Sequence, residues 1–502
     1  MASNLEVIEE EIGRKSTEPL SRKVVKGGLW VFALRLINRG LGFVRTIVLA
    51  RLLAPEDFGL FGIAMLTIAT LETFSQTGFQ QALIQKRGNV ESYLDTAWTV
   101  SAIRGTLLFS ILFFSAPTIA RFFDTPQATL VIRVIAITSL VAGFKNIGIV
   151  FFQKELEFNK QFLYEFSATL VDLTASISLA LIFRNVWALV WGGLGASLVR
   201  LFMSFIVHPY RPRVNLEREK CRDLLGFGKW IVGSNILIFL ITQGDDIFVG
   251  KILGATALGL YQVAYTLSNL PATEFTHVLS QITYPAYSKI QDDLPKLREA
   301  YLRVFQLTLF VSIPVAATIF LLTPEFVNIF LGQKWMPIVP LIRVLVFASI
   351  LRSIAATTGP IFRALGKPNI DTKWQIARFS VLFALLYSFT TKWGIFGTSI
   401  AVLLSILVTN LGFIFSVIKI IKCTTSSLIK FIIFPLTNAA FVLITVFPLK
   451  KAVQVKEISG LILVAISAVL IYILLTYVLD KLLKYNINTL IKSSFEALKI
   501  NY

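Results

Sequence analysis

Residues 50–61 read ARLLAPEDFGLF, and residues 250–261, two hundred positions later, read GKILGATALGLY. Both stretches have a basic residue second, two aliphatic residues next, and Gly-Leu before a final aromatic residue. The same shift aligns Trp30 with Trp230, and a shift of 210 aligns the tripeptide Ile-Arg-Val at 132–134 with the same tripeptide at 342–344. Chance matching of leucine-rich sequence is the alternative, but the matches follow the order of the apolar segments, which favours an internal repeat.

The composition around these stretches is that of a membrane protein. Of the 502 residues, 55% are hydrophobic and 15% charged, and the mean hydropathy is +0.72. Soluble chains average roughly 45–50% apolar residues. A bilayer core needs about 20 apolar residues per helix. This criterion predicts fourteen spans, at 27–50, 58–79, 95–116, 129–152, 162–183, 187–208, 228–250, 258–284, 303–323, 337–361, 374–391, 394–418, 429–448 and 459–479.

The repeat and the spans together predict an all-α integral membrane protein with two pseudo-symmetric six-helix lobes and a C-terminal helix pair. Because six is an even number, both lobes have the same orientation, related by an axis along the membrane normal. The predicted segments are a cytoplasmic N-terminal segment (1–23), an N-lobe (24–208), a cytoplasmic linker (209–227), a C-lobe (228–422), spans 13 and 14 (423–480) and a cytoplasmic tail (481–502).

The charge distribution predicts the orientation. The formal charge of +19 is spread over loops between spans instead of forming a basic tail or an aromatic-basic surface, which argues against nucleic acid binding. Most Lys and Arg residues fall on the N-terminal side, so we expect both termini in the cytoplasm. The acidic first twenty residues do not resemble a cleaved signal peptide. These features predict a multi-pass inner-membrane protein; the resemblance described below implies that the membrane is bacterial.

Enzyme, metal and cofactor sites are not expected. The only two cysteines, Cys221 and Cys423, have no neighbours at metal-ligand spacing, and His208 and His277 are far apart in the sequence. Residues 244–251 imitate a phosphate-binding loop, but with the wrong spacing and inside a span. The predicted outer loops are too short for a membrane glycosyltransferase or polymerase.

Arginines inside the spans are the main functional signal. A central Arg raises the insertion free energy by roughly 2.5–3.5 kcal/mol, so it is expected to face protein or water. In span 1, Arg35, Arg39 and Arg45 share one sector of the helix. Guanidinium groups suit phosphates, through paired donors and a permanent charge. The alternative is packing between helices. The predicted substrate-binding cations are Arg35, Arg39, Arg45, Arg104, Arg200 and Arg352.

Carboxylates inside the spans predict a gate or a coupling site. The shift of 200 aligns Arg45 with Asp245. If the first helices of the two lobes face one another, Arg45 is predicted to pair with Asp245 or Asp246 and close a cavity on the outer side. A permanent structural ion pair is the alternative. Asp172 lies in the middle of span 5 and is a candidate for proton or sodium coupling, with hydrogen bonding between helices as the alternative.

The motif at 49–60, LARLLAPEDFGL, followed by GFQQALIQ at 78–85, resembles the Wzx-type polysaccharide flippases, most of all the WzxC-like colanic-acid and teichuronic-acid exporters of the MOP superfamily. The resemblance implies two six-helix lobes, a central cavity lined by helices 1, 2, 7 and 8, and undecaprenyl-diphosphate-linked oligosaccharide as cargo. In the related lipid II flippases the last two helices form a groove for the lipid tail, which suggests the same role for spans 13 and 14.

The predicted function is therefore flipping of a lipid-linked oligosaccharide by alternating access, for polysaccharide biosynthesis, with no covalent chemistry. Expected partners are membrane lipid and the polymerase and glycosyltransferases of the same pathway. Two alternatives remain open: a multidrug or amphiphile exporter of the same superfamily, and a membrane component of glycan assembly that does not transport. An arginine stripe would repel the cationic drugs of such an exporter.

Overall fold

The computed structural model describes residues 20–86, 90–269, 276, 280 and 283–483, and every regular element in these ranges is a helix. We name the helices by the predicted spans. In chain order they are Leu20–Leu52 (span 1), Pro55–Phe74 (2), Glu91–Phe122 (3), Ala128–Gly143 with Val150–Lys154 (4), Phe158–Phe183 (5), Trp187–Val207 (6), Arg218–Ser268 (7 and 8), Leu294–Phe326 (9), Val339–Ala364 (10), Pro368–Ile421 (11 and 12), Thr425–Val453 (13) and Ile458–Leu483 (14).

Nine helices in the described ranges are long and apolar enough to cross a membrane, or ten if the two parts of span 4, bent by 73°, form one span. This number is smaller than the fourteen predicted spans for physical reasons. Pro368–Ile421 contains two predicted spans, separated by a break at Gly394. The helices Leu20–Leu52 and Arg218–Ser268, which hold spans 1, 7 and 8, carry arginines or aspartates that lower their hydropathy. Each of the fourteen predicted segments contains helix in the described ranges, although residues 75–78 of span 2 and 144–146 of span 4 are not helical.

The decisive stretch explains how span 2 begins. The helix starts at Pro55, whose fixed φ and missing N–H suit the first helical position. One turn later, the Asp57 carboxylate accepts a hydrogen bond from the backbone N–H of Ala54 at 2.9 Å, and its negative charge lies at the positive end of the helix. The Pro-Glu-Asp sequence therefore sets the turn between the first two spans.

Positive backbone φ angles recur at turns that the internal repeat makes equivalent. Spans 5 and 6 are separated at Arg184 (φ 51°), and spans 11 and 12 at Gly394 (φ 59°), which the shift of 210 makes equivalent. The same shift relates Leu156 (φ 59°), before span 5, to Gly366 (φ 66°), before span 11. Left-handed residues are uncommon outside glycine. Their recurrence at equivalent positions supports the repeat independently of side-chain similarity.

The chain divides into two compact units, Met1–Gly259 and Leu260–Tyr502. The predicted division between lobes lay earlier, in the linker at 209–227. In the structure, span 7 is grouped with the first six spans, because it packs on them. Within the first unit, for example, the amide of Asn235 donates a hydrogen bond of 2.6 Å to Gln76 at the end of span 2.

Two glycines allow the first turn of span 2 to pack backbone against backbone on residues 255–259 of the same unit. A methyl group at Gly59 would lie 1.7 Å from the carbonyl oxygen of Ala255, and a methyl group at Gly259 would lie 2.0 Å from the carbonyl oxygen of Pro55. The shift of 200 exchanges the two contacts, since 55 corresponds to 255 and 59 to 259. Small residues at helix crossings are the usual means of close packing in membranes.

We expect Gly59→Ala and Gly259→Ala to destabilise the protein to a similar extent. Replacing glycine by alanine stabilises a helix by roughly 1 kcal/mol. Overpacking against a backbone carbonyl typically destabilises the protein by about 1–3 kcal/mol and should outweigh that gain. Gly42→Ala is the matched control, because a methyl group there would meet no atom within 4 Å. Thermal unfolding in detergent micelles measures the effect, and an equal rise in midpoint for all three variants would contradict the contact.

Candidate functional site

Arg45 and Asp172, two predicted site residues, form an ion pair in the first unit. The Nη2 atom of Arg45 lies 2.9 Å from Oδ1 of Asp172 and donates to the Ser176 hydroxyl at 3.1 Å, while that hydroxyl is 3.2 Å from the same carboxylate oxygen. The side chains are 19% and 26% exposed. Gly192 of span 6 leaves room for the group, since a methyl group there would lie 1.9 Å from the Ser176 oxygen.

This arrangement corrects the predicted partner of Arg45, which was Asp245 or Asp246. Residues at equivalent positions of a repeat are related by its symmetry axis, and they touch only where that axis passes between them. Span 1 instead packs against span 5, so the nearest carboxylate is Asp172. Asp245 is buried, at 3% exposure, and Asp246 is half-buried. An ion-paired Asp172 also favours a structural role over coupling to a proton or sodium gradient.

The other predicted cations lie in different surroundings. Arg200 of span 6 faces Glu165 of span 5, with Nε 3.5 Å from the carboxylate, and both side chains are about one third exposed. Arg39 is exposed. The side chain of Arg35 lies outside the part that the structure describes. Arg104 and Arg352 line two separate pockets, one in each unit.

The pocket in the first unit has a volume of about 350 Å³ and lies among spans 2, 3 and 4. Its charged lining residues are Glu72, Arg104 and Lys145. Arg104 donates from Nε to the carbonyl oxygen of Ser75 and from Nη2 to that of Glu72, both at 2.9 Å. These carbonyls terminate the span 2 helix, where oxygens lack partners in the helix and the dipole is negative. Arg104 therefore has a structural role as well as a place in the pocket.

Lys145 is a pocket-lining cation that was not among the predicted substrate-binding residues. It lies at the bend of span 4, between Gly143 and Val150, and lines the same pocket. Among the described residues its ammonium group makes no hydrogen bond or ion pair; Glu72 and Glu165 attract it at longer range and Arg200 repels it. Lys145 is half-buried, and a cation withdrawn from water without a close partner is unfavourable unless something else compensates it. The sequence shows a Lys inside a span, but it cannot show that no described carboxylate pairs with its ammonium group.

The pocket in the second unit has a volume of about 280 Å³ and is lined by Arg352, Arg363 and Arg378. Only Arg352 was predicted. Arg363 lies beyond predicted span 10, which ends at 361, and Arg378 lies within predicted span 11 but was not among the predicted cations. The span 10 helix continues to Ala364 and the span 11 helix begins at Pro368, which brings two further arginines onto the pocket.

The predicted linker at 209–227 is bound along the first turns of span 3. Backbone N–H groups of alternate linker residues, Arg213 and Asn215, donate to the side chains of Asp95 and Thr99, each at 3.0 Å. Further along, Lys86 pairs with Asp223 at 2.5 Å, and this hydrogen bond holds the pKa of the Asp223 carboxyl below its usual value. The linker is thus attached to the first unit at several points.

A double-mutant cycle tests the Arg45–Asp172 pair. Arg45→Gln and Asp172→Asn should each destabilise the protein, and the double variant should be more stable than the sum predicts, by about 1–3 kcal/mol, since each single change leaves the other charge uncompensated. The matched control is the cycle of Arg45→Gln with Asp245→Asn, which should be additive. Thermal unfolding measures both cycles, and the reverse pattern would restore the predicted pair.

Comparison with known proteins shows the family of this chain. A sequence model described as "Polysaccharide biosynthesis protein" matches residues 48–340, more than half of the chain. The lipopolysaccharide biosynthesis protein WzxC of Escherichia coli (strain K12) is 27% identical over 359 residues, covering 71% of this chain and 73% of that protein.

Two solved structures share the fold. A lipid II flippase MurJ in an inward closed conformation has a TM-score of 0.73 at 14% identity, covering 90% of this chain and 99% of that one. An inward-facing multidrug resistance transporter of the MATE family has a TM-score of 0.59 at 18% identity, covering 78% and 96%. The predicted all-α membrane-protein fold is thereby confirmed. The chain belongs to the polysaccharide biosynthesis protein family, whose Wzx-type flippases its sequence resembles.

Proposed function

We propose that this protein flips an undecaprenyl-diphosphate-linked oligosaccharide across the bacterial inner membrane, as a step in the synthesis of a surface polysaccharide. The sugar and diphosphate enter from the cytoplasm, the lobes alternate in access, and the polyprenyl tail stays in lipid throughout. Both termini are cytoplasmic, and no covalent bond is made or broken. A proton or sodium gradient is a candidate driving force, and the pathway's glycosyltransferases and polymerase are expected partners.

The observation that carries the proposal is the pocket containing Lys145 and Arg104. Two cations and one carboxylate, Glu72, line about 350 Å³ of space among apolar helices, and the Lys145 ammonium makes no ion pair with a described residue. In low dielectric an uncompensated cation attracts anions strongly. A diphosphate, or an acidic sugar attached to one, supplies the missing negative charge, whereas a cationic drug would be repelled.

The family supports the same function. Proteins with related sequences take part in lipopolysaccharide and teichuronic acid biosynthesis, and one is a succinoglycan biosynthesis transport protein. The MurJ structure that shares the fold is named as a flippase of a lipid-linked intermediate. The MATE neighbour is named for multidrug resistance, so drug export is the competing function that the experiments must separate.

Deletion of the gene tests the proposal directly. We expect the lipid-linked oligosaccharide to accumulate on the cytoplasmic side, measured by its resistance to a glycosidase or lectin added to intact spheroplasts. Complementation with the wild-type chain should restore surface polymer. If the deletion strain keeps normal polymer with no second homologue present, or becomes sensitive to cationic drugs instead, the proposal is wrong.

Lys145 gives a sharper test. We expect Lys145→Met to reduce flipping in proteoliposomes by roughly 10- to 100-fold, because a charge-assisted hydrogen bond contributes about 1.5–3 kcal/mol. Lys145→Arg should keep more activity, since it preserves the charge. Lys419→Met, at an exposed position of the span 12 helix, makes the same change outside the pocket and should be close to wild type. Equal activity of the Lys145→Met and Lys419→Met variants would remove the pocket from the mechanism.

A further inference from the structure

The pocket in the second compact unit is built by three helix faces. Its lining residues recur at helical spacing, which places each group on one side of its helix. Small residues, Ala355, Ala356 and Gly359, leave the space between two arginines on span 10. The positions are 352, 355, 356, 359 and 363 on span 10, 371, 375 and 378 on span 11, and 406, 409, 410 and 413 on span 12, and Ser280 also lines the pocket.

The charges in this pocket are unbalanced and unevenly placed. Arg352, Arg363 and Arg378 face a single carboxylate, Asp371, so the lining has an excess of two positive charges. Arg363 and Asp371 lie together near the turn between the helices: a methyl group at Gly359 would be 3.8 Å from Nη2 of Arg363 and 3.9 Å from Oδ2 of Asp371. Asp371 therefore compensates Arg363 more than the other two arginines.

Arg352 and Arg378 lie deeper, at the same level. Spans 10 and 11 are joined by residues 365–367 and so run antiparallel. Arg352 is 14 residues before the middle of this turn and Arg378 is 12 residues after it. At 1.5 Å per residue, their backbones differ by only about 3 Å in height. The deep end of the pocket thus contains two guanidinium groups and no carboxylate among its lining residues.

Arg352 is held in place by two contacts and has an unused hydrogen-bond donor. Its Nη1 atom donates to the side-chain oxygen of Asn269 at 3.0 Å, and the guanidinium lies over the ring of Tyr265, 4.4 Å from its centroid. Its Nη2 atom is buried and has no hydrogen-bond partner among the described residues. A fixed side chain with an unused donor is a preorganised site for an acceptor, because little rotamer entropy is lost on binding.

We propose that this pocket, the Arg352 pocket, binds a phosphate-class oxyanion, with Arg352 as its donor and Arg378 adding positive charge to the lining. Guanidinium groups form paired, charge-assisted hydrogen bonds to phosphate oxygens. The volume of about 280 Å³ is at the lower limit of ordinary ligand pockets, roughly 300–1,000 Å³, which suits a phosphate or diphosphate group but not an oligosaccharide. The inference goes beyond the proposed function, since it concerns equilibrium binding within one unit and requires no transport.

Binding of inorganic pyrophosphate to the full-length protein in detergent micelles, followed by isothermal titration calorimetry at low ionic strength, tests the site. Arg352→Gln should weaken binding by roughly 10- to 100-fold. Asp371→Asn should strengthen it, because the competing carboxylate is lost. Arg222→Gln removes an exposed positive charge outside the pocket and should leave the affinity unchanged.

Ala356→Leu provides a test that alters no charge. Its larger side chain should fill the pocket and weaken binding. A size-exclusion profile and an unfolding midpoint like those of the wild type would show that the variant is folded. If Arg352→Gln does not fold, this variant and Asp371→Asn carry the test. Saturable binding that none of these variants changes, or no saturable binding to any of the probes, overturns the proposal.

Two further probes identify the source of the phosphate group. Undecaprenyl diphosphate added to the micelles should displace pyrophosphate if the site accepts a polyprenyl diphosphate. Nanodiscs of phosphatidylcholine with and without phosphatidylglycerol should differ in protein stability, in an Arg352-dependent manner, if the site accepts a phospholipid headgroup. Binding of pyrophosphate alone assigns a site for free phosphate. Because flipping is measured separately, a flippase without this site and a site without flipping are distinguishable.

Discussion

The structure depends on one constraint: a charged side chain inside an apolar helix must have a partner. Arg45 is paired with Asp172 and Arg200 with Glu165, each across a contact between neighbouring helices. Arg104 uses the free carbonyls at the end of span 2. Each solution joins two helices that the hydrophobic effect would not hold together in lipid, where association relies on packing and polar contacts. The charges thus help to determine which helices are neighbours.

Aromatic rings provide a third solution, and the repeat uses it twice. The guanidinium of Arg133 in span 4 lies 5.0 Å from the ring centroid of Phe113 in span 3, and that of Arg343 in span 10 lies 5.2 Å from Phe320 in span 9. The arginines are equivalent under the shift of 210. Each six-helix repeat therefore places an arginine of its fourth span against an aromatic ring of its third. A contact that recurs in both units is explained by the fold alone, which assigns these arginines to structure.

The elements that the sequence predicted are those that local chemistry fixes. Apolar length places the helices, and the repeat relates the turns at Arg184 and Gly394, which both have a positive φ. Pairing across the fold was not predictable in the same way. The partner of Arg45 depends on which helix packs beside span 1, and alignment of the repeats gives equivalence instead of contact. The second-unit pocket was only partly predicted, because predicted span 10 ends before Arg363 and hydropathy alone does not show that Arg378 of span 11 lines the same pocket.

The repeat also separates charges that the fold needs from charges that it does not. The pocket-lining residues of span 4 include Ala142 and Lys145, and those of span 10 include Arg352 and Ala355. Under the shift of 210, Ala142 corresponds to Arg352 and Lys145 to Ala355. The same helix face therefore lines a pocket in each unit, and each position accepts alanine in one of them. Packing does not require a cation at either place, yet each unit has one, three residues apart, with donors that the described residues leave unused. A ligand that supplies negative charge accounts for both.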